Sequence, residues 1–318
     1  MRSRPRWRRP RERVMSEPFD ARSALRGLIS HDEPMARHVT WAAGGRARHA
    51  YRPADTADLA GFLGMVRADE PILMVGLGSN LLVRDGGFAG TVIFTHPALR
   101  GLRRSDDGTI YAEAGLASPR LARYSANNDL AGAEFLAGIP GTIGGALAMN
   151  AGCYGAQTWE RVARVATVDR GGRLRERAME DFAIGYRHCG SRIACDEWFV
   201  GAWFRFEPGS GVEARARIGD LLRRRVASQP LRFPNAGSVF RNPPGGHAGA
   251  LIEAAGLRGF AVGGARVSEK HANFIVNEER RASATDIESL IVRVQAAVKD
   301  RFGIELVCEV RIVGEAAA

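Results

Sequence analysis

The sequence contains almost no lysine: Lys270 and Lys299 stand alone among 45 basic residues. Arginine therefore carries nearly all the positive charge, which reads as a compositional bias rather than a functional signal. Cysteine is scarce too. Cys153, Cys189, Cys195 and Cys308 form no C-x-x-C pair, and the arginine-rich start lacks the apolar region of a secretory signal. Reduced thiols in a cytoplasm are expected, not a disulfide framework. The seven histidines include no H-x-H and no H-E-x-x-H, so a metal site is not expected. No stretch approaches the roughly 20 apolar residues that span a bilayer.

What remains is an ordinary globular composition, 45% hydrophobic and 25% charged over 318 residues. That length suits two or three domains of about 100–150 residues. The net charge of +10 would suit a nucleic-acid partner, but its placement weakens that reading. Residues 1–15 hold seven arginines and one glutamate, which leaves about +4 for the rest of the chain. We read residues 1–20 as a disordered basic tail, with Met15 a possible start and a nucleic-acid arm as the rival reading.

Along the body, strands and helices alternate irregularly. A helix is expected over 58–68 with Asp58 as its cap, and another from Ser118-Pro119 to about Asn127 with Ser118 as its cap. A hairpin is expected over 162–178, turning at Gly171-Gly172, and a strand over 197–209. Helices are expected over 217–229, 249–257 and 285–303. Thr285 and Glu288 form a capping box for the last, and Gly303 ends it. Alternation over 304–313 reads as a final strand.

Two glycine-dense segments stand out. Gly76, Gly78, Ser79, Asn80 and Leu81 follow the apolar run 72–75. This G-x-G lacks the third glycine of a dinucleotide fingerprint and continues as strand, not helix. If it binds phosphate, it does so with bare backbone N–H groups. The second segment, 137–155, is too glycine-rich for a regular helix and reads as a loop. It holds Ile139, Pro140, Gly141, Thr142, Gly144 and Gly145, then Asn150, Ala151 and Gly152. A lone G-x-G is most often a plain tight turn. Two such loops suit a ligand with a pyrophosphate and a flat ring.

Six ordered motifs then carry a resemblance. "GLGSNLLVRDGGFAGTVI", "LAGIPGTIGGALAMNAGCYG", "IGYRH", "AGSVFRNPPG", "GGARVSEKHANFIVN" and "FGIELVCEVRIVGE" are similar to the successive motifs of the UDP-N-acetylenolpyruvoylglucosamine reductase family, from about Val39 to Glu315. The resemblance implies an α+β protein with a vanillyl-alcohol-oxidase/PCMH-type FAD-binding domain of two lobes (21–98 and 99–225). It further implies a C-terminal α+β substrate-binding domain (226–303) and a terminal strand (304–318) returning to the active site. It implies non-covalent FAD, NADPH as co-substrate and a UDP-sugar enolpyruvyl ether as substrate. The short Pro243–Ala248 segment is similar to the family type lacking an extra tyrosine loop. Cys308 departs from the family, where many members have proline, and reads as a packing variation.

The resemblance also assigns roles. Ser238 matches the proton donor. It lies in "AGSVF", where Phe240 replaces the second glycine of a G-x-S-x-G elbow, so an activated nucleophile is not implied. Arg187 matches the residue that binds the substrate carboxylate and the charge developing on it. Glu309 is either buried with a raised pKa, or shares a proton with Arg187, or is a solvated edge residue. Tyr186 and Asn242 match substrate contacts. Lys270-His271 could meet a phosphate, though a structural role is the plainer reading. An FAD oxidase of a hydroxy acid or sugar would share the glycine loops but lack the Ser238, Arg187 and Glu309 set.

Overall fold

The computed structural model describes residues 25–192 and 196–317. The basic tail and Cys195 lie outside them. In lobe 1 the chain forms β1 (Leu28–Pro34), β2 (Arg46–Arg52), α1 (Thr56–Met65), β3 (Ile72–Val75), β4 (Leu81–Val83) and β5 (Phe88–Phe94). Four of these strands make a sheet in the order β1-β2-β5-β3. β1 runs antiparallel to β2, while β2, β5 and β3 run parallel.

Lobe 2 follows with β6 (Leu102–Arg104), β7 (Ile110–Glu113), α2 (Ser118–Asn127), α3 (Ile143–Ala148), β8 (Val162–Asp169), β9 (Leu174–Arg177), β10 (Phe182–Gly185), β11 (His188–Ser191), β12 (Glu197–Phe204) and α4 (Gly211–Ser228). Its five-stranded sheet is antiparallel throughout, in the order β9-β8-β12-β7-β6. The hairpin β10–β11 stands apart from that sheet.

The C-terminal part holds α5 (Ala248–Ala254), a small sheet of β13 (Ala261–Val262), β14 (Ala265–Val267) and β15 (Ile275–Val276), then α6 (Ala284–Phe302) and β16 (Arg311–Val313). Ile287, Leu290, Ile291, Val294 and Val298 recur along one face of α6 and are all buried. Each contributes on the order of 1.5–3 kcal/mol by leaving water. Their core includes Trp41 and Leu82 of lobe 1. Trp41 Nε1 donates to Ile275 O at 2.8 Å, and Asn277 Nδ2 donates to Trp41 O at 2.9 Å. The third part is thereby bonded to lobe 1, and β16 closes the connection by pairing in parallel with β4.

Helix ends depart from the sequence expectations in a consistent way. Asp55, not Asp58, caps α1. Asp58 turns into the core, where Tyr51 Oη, Ala54 N and Arg26 N donate to it at 2.6, 2.9 and 2.7 Å. Ser118 is the first residue inside α2, not its cap, and its Oγ is buried without a partner. Ser283 and Asp286 form the capping box of α6. Thr285 and Glu288 serve lobe 1 instead. Asp85 accepts from the Ala284 and Thr285 amides at 3.0 and 2.8 Å, and Arg84 pairs with Glu288 at 2.8 Å. At α6 the tertiary partner Asp85 adds to the local cap, satisfying two further amides while tying the helix to lobe 1.

Two further expectations are corrected. The segment 137–155 is not all loop, because α3 forms inside it despite two glycines. Glycine costs roughly 1 kcal/mol per position in a helix, and burial of Ile143, Ala146 and Leu147 in the lobe 2 core offsets that cost. The alternating stretch 304–313 is strand only over Arg311–Val313. Leu306 and Val310 are buried as alternation requires, but residues 304–310 follow the loop around Ser238 and not a sheet.

Candidate active site

The first glycine segment connects β3 to β4. Gly78 is left-handed, with φ 61°, and packs so tightly on the His38 carbonyl that a Cβ has no room. The second segment ends on α3, whose backbone is anchored to lobe 2 by Ile143 N to Leu116 O and Gly144 N to Ala114 O, at 2.9 and 2.8 Å. The two segments face each other. A Cβ on Gly76 would run into Thr142 Oγ1, and one on Gly141 would come within 3.1 Å of Ser79 Oγ. Among the described residues the amides of Gly76 through Asn80, and of Gly141, Thr142 and Gly145, donate to no backbone acceptor. A paired set of free N–H groups on glycine loops is what a pyrophosphate requires. These residues fit FAD.

Between the loops lies a cavity of about 520 Å³. Its walls include Gly76, Gly78, Ser79, Asn80, Leu81, Ile139, Pro140, Gly141, Thr142, Gly144, Gly145, Ala151 and Gly152. Arg187, Ser238 and Glu309 line the same cavity. Asn150 does not. It is buried, and its amide donates to Gln157 Oε1 and Gly185 O at 2.9 and 3.0 Å, tying the end of α3 to the β10–β11 hairpin.

Arg187 sits in the turn of that hairpin with φ 52°, a conformation that costs a non-glycine residue about 1–2 kcal/mol. Its Nη2 donates to Gly152 O at 2.8 Å. Its Nε lies 3.0 Å from Glu309 Oε1, with the N–H not aimed squarely at the carboxyl group. Glu309 is mostly buried rather than a solvated edge residue. Burial pushes its carboxyl up from the ordinary value, while Arg187 and then Arg241 pull it down.

Ser238 follows Gly237, which is left-handed at φ 77°. Among the described residues no hydrogen bond engages its Oγ. Its loop is held by a residue that sequence reasoning passed over. Asn273 is buried, gives its carbonyl to Val239 N at 2.9 Å, accepts from Phe240 N at 3.0 Å on Oδ1 and donates Nδ2 to Phe240 O at 2.9 Å. The side chain thus completes a strand-like ladder. Glu309 N donates to Val239 O at 2.8 Å, which seats the terminal segment directly beside Ser238.

Tyr186 is half-exposed and lies outside the cavity wall, with the Arg187 guanidinium 5.3 Å from its ring centre. Asn242 is exposed, also outside the wall, and its Oδ1 accepts from Ala248 N at 3.1 Å at the start of α5. Lys270 donates to Val226 O, and His271 accepts from Asn273 N. Arg225, Gln229, Cys153 and Arg311 line the cavity without having been singled out. Arg225 and Gln229 reach it together from the C-terminal end of α4, where Arg225 Nε donates to Gln229 Oε1 at 2.9 Å, while Cys153 and Arg311 come from separate segments.

The two-lobed domain, its amide-lined cradle and the charged residues beside it define an FAD-dependent oxidoreductase. An FAD binding domain model matches residues 47–177, and a model of the UDP-N-acetylenolpyruvoylglucosamine reductase C-terminal domain matches residues 229–313. The reductase of that name from Thiobacillus denitrificans is 55% identical over 304 residues, covering 92% of this chain and 94% of its own length. That from Nitrosomonas eutropha is 53% identical, covering 92% and 90%. The crystal structure of the Thermus caldophilus enzyme matches with a TM-score of 0.74 at 29% identity, covering 90% of this chain and 98% of that one. The chain belongs to the UDP-N-acetylenolpyruvoylglucosamine reductase family.

Proposed function

We propose that this chain reduces UDP-N-acetylglucosamine enolpyruvate to UDP-N-acetylmuramate at the expense of NADPH, in the cytoplasm, for peptidoglycan precursor synthesis. Ser238, Arg187 and Glu309 are the residues that act on the substrate. The family membership supports the reaction. Among the described residues no helix is long and apolar enough to cross a membrane.

The chemistry that FAD supplies when bound is hydride relay, from NADPH and on to the terminal carbon of the enolpyruvyl group. Hydride addition breaks the C=C π bond and leaves an electron pair on the carbon beside the carboxylate. Arg187 answers that charge. Its Nη1 engages no partner among the described residues, so that amino group is available to the substrate carboxylate while Nη2 is held by Gly152 O and Nε faces Glu309. Ser238 then gives its hydroxyl proton to that carbon. A neutral alcohol is acidic enough for so strong a base, and needs neither a histidine partner nor an activated oxygen. Burial shifts Glu309 toward its uncharged form against the pull of Arg187 and Arg241, which eases its place beside the developing anion. Asn150, Tyr186 and Asn242 act at one remove, by fixing the α3 end, the Arg187 turn and the start of α5.

The observation that carries this reading is the convergence of Arg187, Ser238 and Glu309 on the glycine-lined cavity. Anaerobic NADPH should bleach the flavin of the purified protein, and substrate should restore its colour. In Ser238→Ala the bleaching should be unchanged, while recovery slows by about 10²–10⁴-fold. Recovery near the wild-type rate would remove Ser238 from the mechanism.

A further inference from the structure

Arg241 stands three residues beyond Ser238 and does not line the cavity. It nevertheless touches each segment that supplies an active residue. Its backbone N donates to Val307 O at 2.9 Å, on the segment carrying Glu309. Its Nη2 donates to the carbonyl of Arg187 at 3.2 Å. Its Nε is buried without a hydrogen-bond partner. After Arg187 it is the second positive charge acting on Glu309.

A guanidinium with its Nε buried and that N–H unsatisfied is costly. A solvated surface arginine would avoid that cost, so the placement needs a compensating gain. The gain is visible at Arg187, whose left-handed backbone is unfavourable by itself and is retained where its carbonyl meets Arg241. We infer that Arg241 is a positioning residue for this reaction: it fixes the Arg187 turn to the loop of Ser238 and supplies a second cation beside Glu309, so that the three active residues are held as one unit.

This inference rests on the roles proposed above for Ser238, Arg187 and Glu309. It separates from a merely structural role through pH. The charged or titratable groups facing Glu309 are Arg187 on the hairpin, Arg241 on the serine loop and Cys308 on its own segment. Removing one of two cations makes Glu309 harder to ionise. The limb of the pH profile that reports Glu309 must then move to higher pH.

The experiment compares wild type, Arg241→Met and Arg241→Lys, each loaded with FAD, with Ser238→Ala as reference. Flavin reduction by NADPH should stay within about twofold in the Arg241 variants. Reoxidation by substrate should fall about 10–100-fold in Arg241→Met, the effect of a misplaced group, with its pH limb displaced upward. Arg241→Lys keeps the charge but loses the fork that reaches the Arg187 carbonyl. Its limb should return to the wild-type position while its rate stays several-fold low. If Arg241→Met fails to take up FAD, Arg241→Gln and Arg241→Lys give the same comparison. Wild-type reoxidation and an unmoved limb in the Arg241 variants, with Ser238→Ala still defective, would overturn the inference alone. A fully active Ser238→Ala would instead overturn the reading beneath it.

Discussion

The two halves of this active site are built on opposite plans. The FAD cradle is made of backbone. Each loop supplies free amides from residues close together in sequence, so one short stretch of chain is one binding surface. The proposed reacting cluster is made of side chains from three places, Arg187, Ser238 and Glu309, held by residues to which no chemistry is assigned. A backbone site tolerates many side chains but no added Cβ at its close contacts. A side-chain site tolerates little change at a handful of positions, and depends on the groups behind them.

That contrast can be tested at both ends. The largest expected effect is on the side-chain half. Arg187→Met should slow flavin reoxidation by substrate about 10²–10³-fold, the usual loss when a charge-stabilising donor is removed. Rapid reduction by NADPH should persist in stopped-flow measurements. An equal loss in both half-reactions would mean that Arg187 also shapes the cradle, through its bond to Gly152.

Next comes the support behind Ser238. Asn273→Ala leaves the Phe240 N–H and carbonyl without their partners in a buried position. Urea denaturation should show a loss of about 2–6 kcal/mol, from two unsatisfied groups at about 1–3 kcal/mol each. A loss below about 0.5 kcal/mol would show that the loop re-forms its bonds without Asn273.

The cradle should respond differently. Gly76→Val drives a branched side chain into Thr142. Overpacking of this kind costs about 1–3 kcal/mol. FAD affinity should therefore fall roughly 10–100-fold, read by flavin fluorescence, with far-UV circular dichroism unchanged. Full FAD occupancy at wild-type affinity would break the claim that the two loops meet around the cofactor.

The smallest effect concerns pH. Burial raises the folded-state pKa of Glu309 above its ordinary value of 4.5. The stability contributed by its neutral form is therefore complete below about pH 4.5 and is lost as pH climbs through the folded-state value. Glu309→Gln removes that titration. The Tm of the variant relative to wild type should rise with pH above this point. A difference that falls or stays flat would reverse the assigned direction.

Legibility in the sequence follows the same division. The hairpin turning at Gly171-Gly172 and the long helix ending at Gly303 were readable, because local periodicity and turn chemistry set them. The helix caps were misread by less than a turn, since Asp55 caps α1 and Ser283 caps α6. Asp85 takes the Thr285 amide that a local capping box assigns to Glu288. The resemblance pointed to Ser238, Arg187 and Glu309 through their motifs. Nothing local pointed to Asn273 or Arg241, whose work is to hold other segments.

By itself the sequence determined the backbone chemistry of this protein: where glycines open the chain to a phosphate, where apolar periodicity makes helix or strand, and which motifs align with a flavoenzyme family. These properties are local, and each is encoded within a few consecutive residues. The tertiary structure alone decided how Glu309 is buried, which way Arg187 is held and what stands behind Ser238. Those depend on contacts across 54 residues between Arg187 and Arg241, and on a terminal segment that returns to β4. Desolvation and charge pairing have no expression in a linear text until folding brings the groups together.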